Sequence, residues 1–112
     1  MHMDIHIRDV AGIYPAGTIR TGDTALVFAA DQQGVHLDPD ASRLGDDVGT
    51  VLDILLRLTA RPVYVWADQY DSAHQQIVVA MQARGAINIG NDGSPKNRYY
   101  NWQICRRKNK EE

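Results

Sequence analysis

A chain of 112 residues with 44% hydrophobic and 23% charged side chains is long enough for one ordinary core and too apolar for general disorder. The formal net charge is −2, and the single cysteine, Cys105, excludes an internal disulfide framework and a multi-cysteine zinc site and fits a reduced, cytoplasmic setting. No basic stretch followed by an apolar run opens the sequence. The longest apolar candidate, Val48 to Leu58, is interrupted by Asp53 and Arg57, so neither a signal peptide nor a membrane helix is expected.

Met3 to Val10 alternates, with Met3, Ile5 and Ile7 set against Asp4, His6 and Arg8, which predicts a half-buried strand. Ala11-Gly12 and Pro15-Ala16-Gly17 read as breaks. Thr24 to Ala30 is a second strand, Asp31 to Gly34 a turn, and Val35 to Leu37 a short hairpin partner closed by Asp38-Pro39-Asp40. Apolar residues at 48, 51, 52, 55 and 58 make one face of a helix to about Thr59, with Asp46 and Asp47 placing negative charge at its start. Gly49 costs that helix about 1 kcal/mol, and Pro62 forbids continuation.

Val63 to Ala67 is rich in β-formers. A second helix follows from Ser72 to Arg84, with Asp71 and Ser72 both able to start it, a Ser72-x-x-Gln75 capping box, a stripe of Ala73, Ile77, Ala80, Met81 and Arg84, and Gly85 at its end. Ala86 to Ile89 and Arg98 to Cys105 are the last strands, joined by Asn91-Asp92-Gly93-Ser94-Pro95. The expected fold is a single α+β domain over 1–105, a mixed β-sheet with two helices packed on one face in the order β-β-β-α-β-α-β-β, with a charged tail at 106–112.

Charge is unevenly placed. Residues 1–83 carry 5 basic and 11 acidic side chains, residues 84–110 carry 7 basic and 1 acidic. The C-terminal third is therefore suited to an anionic partner, or to the acidic body of another copy. Lys96 and Arg98 near the hairpin tip, Tyr99 and Trp102 along it, and Arg106 and Arg107 beyond it are the candidate contacts for a ligand or nucleic acid. Because aromatics alternate along this strand, at least one stripe should pack on the core.

Asp68 ends a buried-looking strand beside a helix start, where sites form in α/β proteins, and is the candidate pocket residue. His2, Asp4 and His6 share a strand face, but a fraying terminus is a poor metal site, and no metal is expected. His36 and His74 read as surface histidines, and Asp38, Asp40, Asp46 and Asp47 as turn-forming and capping residues. No nucleophile signature or phosphate loop is present, so no catalytic residue and no cofactor is assigned.

The segment from Ala25 to Gly90 resembles the soluble domain of the ExbD/TolR family. The likeness lies in a short hairpin (ALVFAADQQGVHLD), a leucine-rich helix, a strand ending in Ala-Asp (RPVYVWADQY) and a helix QQIVVAMQARGAINIG. Nothing here matches that family's N-terminal membrane helix, so the resemblance implies fold and not energy transduction. The stretch VVAMQARGAINIGNDGSPKNRYYNWQI is similar to the recognition helix and wing of winged-helix DNA-binding domains. That likeness implies His74, Gln75, Gln76 and Gln82 for a groove and Lys96 and Arg98 for phosphates. A helix-turn-helix needs another helix between Pro62 and Asp71, where the residues favour a strand.

The function expected from these readings is a non-enzymatic binding or interaction module that self-associates, through its complementary charges and the edge of its terminal aromatic strand. The alternative is a nucleic-acid-binding protein using the C-terminal hairpin, and a third reading is a small enzyme with a site near Asp68.

Overall fold

Alternation along the strands and two apolar helix stripes can be satisfied together only by a sheet covered on one face, and the computed structural model has that form. It describes residues 3–10 and 14–105. Four strands come first, β1 (Asp4–Val10), β2 (Tyr14–Arg20), β3 (Ala25–Ala30) and β4 (Val35–Arg43), followed by α1 (Val48–Leu58), β5 (Val63–Asp68), α2 (Ser72–Gln82), β6 (Ile87–Asn91) and β7 (Tyr99–Ile104). They make one seven-stranded sheet in the order β1-β2-β3-β4-β5-β7-β6. Only β4 and β5 are parallel; every other pair is antiparallel. The fold is α+β, with both helices on one face.

Register sorts the side chains. Ile19 lies opposite Leu26, Phe28 opposite Leu37, Val35 opposite Val63, and Val63 opposite Ile104, and all of these are buried under α1 and α2. The alternate positions, Val27, Ala29, His36, Tyr64, Trp66 and Tyr99, share the uncovered face. Of the α1 stripe, Val48, Val51, Leu52 and Leu55 are buried and Leu58 is exposed. In α2 the buried set is His74, Ile77, Val78, Ala80 and Met81, while Ala73 is exposed.

Three expectations are corrected. A fourth initial strand, β2, occupies Tyr14–Arg20, where proline and glycine read as breaks. Pro15 is tolerated because it pairs with Asp9 of β1 beyond the point where β3 joins at Ala16, so its missing N–H falls outside the second ladder. The second correction is that β4 does not stop at Leu37. Its pairing to β3 jumps from Asp38 to Arg43 across a bulge. The Ser42 hydroxyl accepts the Val27 N–H at 2.9 Å and donates to the Asp38 carbonyl at 2.6 Å, carrying the strand past Pro39.

Third, α2 is capped by Asp71 and not by a Ser72 box. The Asp71 carboxylate accepts the N–H groups of Ala73 and His74. Asp47 holds the N-cap position of α1 without a side-chain cap bond; its carboxylate instead takes the hydroxyls of Thr21 and Thr24, tying α1 to the β2–β3 turn.

Arg84 locks the two helices together. Its Nε and Nη2 donate to the two Asp53 oxygens at 2.6 and 3.0 Å, Nη2 also reaches the Gly49 carbonyl at 2.9 Å, and Nη1 the Ala80 carbonyl at 2.9 Å. Gly49 is small because a Cβ there would lie 2.9 Å from Arg84 Nη2. Arg84→Met should cost about 2–3 kcal/mol in denaturant unfolding. Gly49→Ala should gain nothing in the wild type but about 1 kcal/mol in the Arg84→Met background, where helix propensity is free to act.

The same pair sets a pH signature. The Arg84 hydrogen bond holds the Asp53 carboxyl below its ordinary 3.8, against burial that raises it. A carboxyl with a folded value below its unfolded one contributes stability above 3.8 and loses it as pH falls further. The stability gap between wild type and Arg84→Met should therefore be full at neutral pH and shrink in acid below that value.

Candidate functional site

β4 and β5 pair at only two positions, Val35 with Val63 and His36 with Tyr64. Beyond them β4 bulges toward β3 while β5 stays with β7, so the parallel pair splays. The gap opens at the carboxyl ends of the two strands, the place where α/β sheets form ligand crevices. A cavity of about 430 Å³ occupies it on the uncovered face, within the range of small-molecule sites, with His36, Asp38, Asp40, Trp66, His74 and Tyr99 among its walls.

His74 is the floor. It projects from the first turn of α2 and is 3% exposed, which corrects the expectation of a surface histidine. Its Nδ1 accepts the Asp68 backbone N–H at 2.9 Å, so the proton sits on Nε2, which donates to Asp40 Oδ1 at 2.8 Å. One side chain thus joins α2, β5 and the β4 bulge. Tyr99 lies over it, with ring centroids 6.5 Å apart and a 57° tilt. The opposite wall carries His36, stacked on Tyr64 at 5.1 Å. Trp66, expected in a buried strand, is 45% exposed because its side of β5 has no helix above it.

Asp38 and Asp40 are the only Asp, Glu, Lys or Arg side chains lining this cavity among the described residues. Asp38 Oδ1 accepts the N–H groups of Asp40 and Ala41, which shapes the bulge. Both carboxylates were read from sequence as turn formers; the bulge also aims them into the crevice. The signal available in the sequence was Pro39 inside a strand pattern, which marks a bulge.

Asp68 is buried just behind the crevice and does not line it. Its Oδ1 accepts the Tyr70 N–H at 2.9 Å and its Oδ2 the Arg98 Nε at 2.8 Å. Burial pushes this carboxyl up, but the Tyr70 and Arg98 bonds outweigh it and hold the group below the ordinary carboxylate value. Its carbonyl also accepts the Asp71 N–H and the Gln75 side chain. Asp68 organises the corner between β5 and α2.

The hairpin candidates are dispersed. Arg98 is spent on Asp68 and lies 5.6 Å above the Tyr70 ring. Gln69 ties the loop further, donating to the Asn97 carbonyl at 2.8 Å. Lys96 is exposed at the tip, beside a second, shallower hollow of about 350 Å³ lined by Asp92, Ser94, Pro95, Lys96 and Arg98. Tyr99 lies on the uncovered face, whereas Trp102 packs against the core on the other. Arg106 and Arg107 lie outside the described residues, as does His2.

Among the described residues no group of three His, Cys, Asp or Glu side chains is placed to hold a metal ion, and no helix is long and apolar enough to cross a membrane. Between Pro62 and Asp71 the chain is strand β5, so the helix required upstream of α2 by a helix-turn-helix is not there. No protein-family model, curated protein or solved structure matches the chain.

Proposed function

We propose that the protein is a non-enzymatic binding module that takes a small organic cation, an ammonium or guanidinium group on an apolar body, in the crevice between β4 and β5. The observation that carries this reading is the composition of the walls. The exposed indole of Trp66 and the ring of Tyr99 face a cavity that, among the described residues, is lined by two carboxylates, Asp38 and Asp40, by two histidines, His36 and His74, and by no lysine or arginine. Aromatic faces and carboxylates together favour cations, and the same charges disfavour phosphates and carboxylic acids.

A binding role fits better than catalysis. Both nitrogens of His74 and both oxygens of Asp68 are already engaged within the fold, which leaves no poised acid or base at those positions. The nucleic-acid reading is weaker, because Arg98 is paired with Asp68 and Tyr99 and Trp102 occupy opposite faces of β7. Salt-sensitive retention on a DNA or RNA column, lost in Lys96→Ala, would restore it.

The test is a titration with benzyltrimethylammonium, its neutral carbon isostere and benzoate, followed by amide shifts and Trp66 fluorescence. The cation should bind most tightly and perturb Trp66, Tyr99 and the Asp38–Asp40 bulge. Trp66→Ala should weaken it about tenfold, and Asp38→Asn about threefold, since these carboxylates are solvent-screened. Equal binding of the neutral isostere would remove the charge argument, and shifts confined to other residues would remove the site.

A further inference from the structure

Among the described residues the sheet ends in β1 on one side and β6 on the other, and β7 lies inside between β5 and β6. The terminal aromatic strand therefore offers no edge to a second chain. The two real edges differ. β6 is interrupted by a bulge between Asn88 and Gly90, with the Gly90 N–H turned onto the Asn88 side chain at 3.0 Å. Bulges of this kind spoil edge-to-edge pairing. β1 has no such guard. Its ladder to β2 runs unbroken through seven pairs, from Asp4–Arg20 to Val10–Tyr14, and Asp4–Val10 contains neither proline nor lysine.

β1 also carries apolar surface that the described residues leave exposed. Ile5 pairs with the core residue Ile19 and Ile7 with Gly17, so both point to the helix side of the sheet. They remain 44% and 50% exposed, and α1 packs mainly over β2 and β3. His6 is exposed on the other face.

We propose that two copies of this chain join edge to edge through β1, antiparallel about a two-fold axis at His6. The sequence DIHIR is complementary to itself in that register. Position 4, an aspartate, lies across from position 8 of the other copy, an arginine; Ile5 lies across from Ile7; and His6 meets His6. Both ends then match opposite charges, and the four isoleucines form one continuous patch on the helix side. A contact of this kind is isologous and closes at two copies, because each β1 has only one free edge. One strand pair and four side chains make a small interface, so the dimer is weak and exchanges rapidly. This inference does not depend on the crevice.

His6 provides the decisive test, since it sits on the axis and points away from the core. Sedimentation equilibrium and light scattering from micromolar to submillimolar protein should give a mass rising toward twice 12.5 kDa. His6→Lys and His6→Asp each place a like charge against itself and should remain at the monomer mass over the same range, with unchanged far-UV circular dichroism. An equal mixture of the two should recover the dimer, as a heterodimer of opposite charges. If either variant loses the folded spectrum, His6→Thr, which adds no charge, should stay folded and dimeric. A wild-type mass that stays monomeric, a dimer indifferent to charge at position 6, or a mixture that stays monomeric each overturns the proposal.

Discussion

Gly34→Ala should lower stability by about 3 kcal/mol or more, and the melting temperature by about 10 °C, because it combines backbone strain with a steric clash. Gly34 has φ of 154°, and a Cβ there would run into the Pro62 carbonyl oxygen. That carbonyl accepts the Val35 N–H at 2.9 Å, beside the only two rungs that join β4 to β5. The hairpin cannot retreat easily, since the Arg61 guanidinium holds the carbonyls of Asp31 and Gln32 at 2.6 and 3.0 Å. Gly93→Ala is the control. Gly93 has φ of 72° but open space around it, so strain acts alone and about 1 kcal/mol should be lost. Equal losses at the two sites in denaturant unfolding would show that β4 and β5 are not held this closely. Gly34→Ala should also weaken cation binding in the surviving folded fraction, since the crevice is the continuation of that two-rung junction.

His74→Ala should cost about 3 kcal/mol, from three sources that act together. It empties a buried ring site, leaves the Asp68 N–H without an acceptor, and releases the Asp40 bulge from α2. His74→Asn should recover part of this, because an amide oxygen near the Nδ1 position still accepts the Asp68 N–H. His74→Phe should fill the volume and keep both hydrogen-bond defects, separating packing from polar satisfaction. Hydrogen exchange reads the outcome locally: the Asp68 amide should be protected in wild type and His74→Asn, and exchange faster in His74→Ala and His74→Phe. Uniform protection across all four proteins would mean that the imidazole does not anchor β5.

Much of the architecture was legible in the residues. Period-two spacing located β1, the β-rich stretch Val63–Ala67 located β5, and helical spacing located α1 and α2, while the turn residues at Asp31–Gly34 and Asn91–Pro95 separated the elements around them. β2 was not legible, because the chemistry that usually ends a strand lies inside it, and Pro15 is harmless only where β3 has not yet joined. The far half of β4 was hidden for a related reason. Asp-Pro-Asp reads locally as a turn, and only the Ser42 bonds across to Val27 and Asp38 reveal a bulged continuation.

The crevice was barely legible. Its residues come from β3, β4, β5, α2 and β7, spread from Val27 to Tyr99, and no spacing rule connects them. His74 looked like a surface residue because a histidine in a helix's first turn is usually solvated, whereas here two strands diverge above it and supply partners for both nitrogens. Asp68 was a candidate from its place at a strand end, but its carboxylate is taken by the Tyr70 N–H two residues on and by Arg98, which the return of a hairpin brings back from thirty residues later.

The amino-acid sequence by itself determined the class of fold and the apolar face of α1, since periodicity is a local property that every arrangement of these segments must respect. Strand order, the splay that opens the cavity, and which edges stay free were decided only in three dimensions. They depend on pairings between distant segments, where one hydrogen bond or one missing Cβ outweighs local preference.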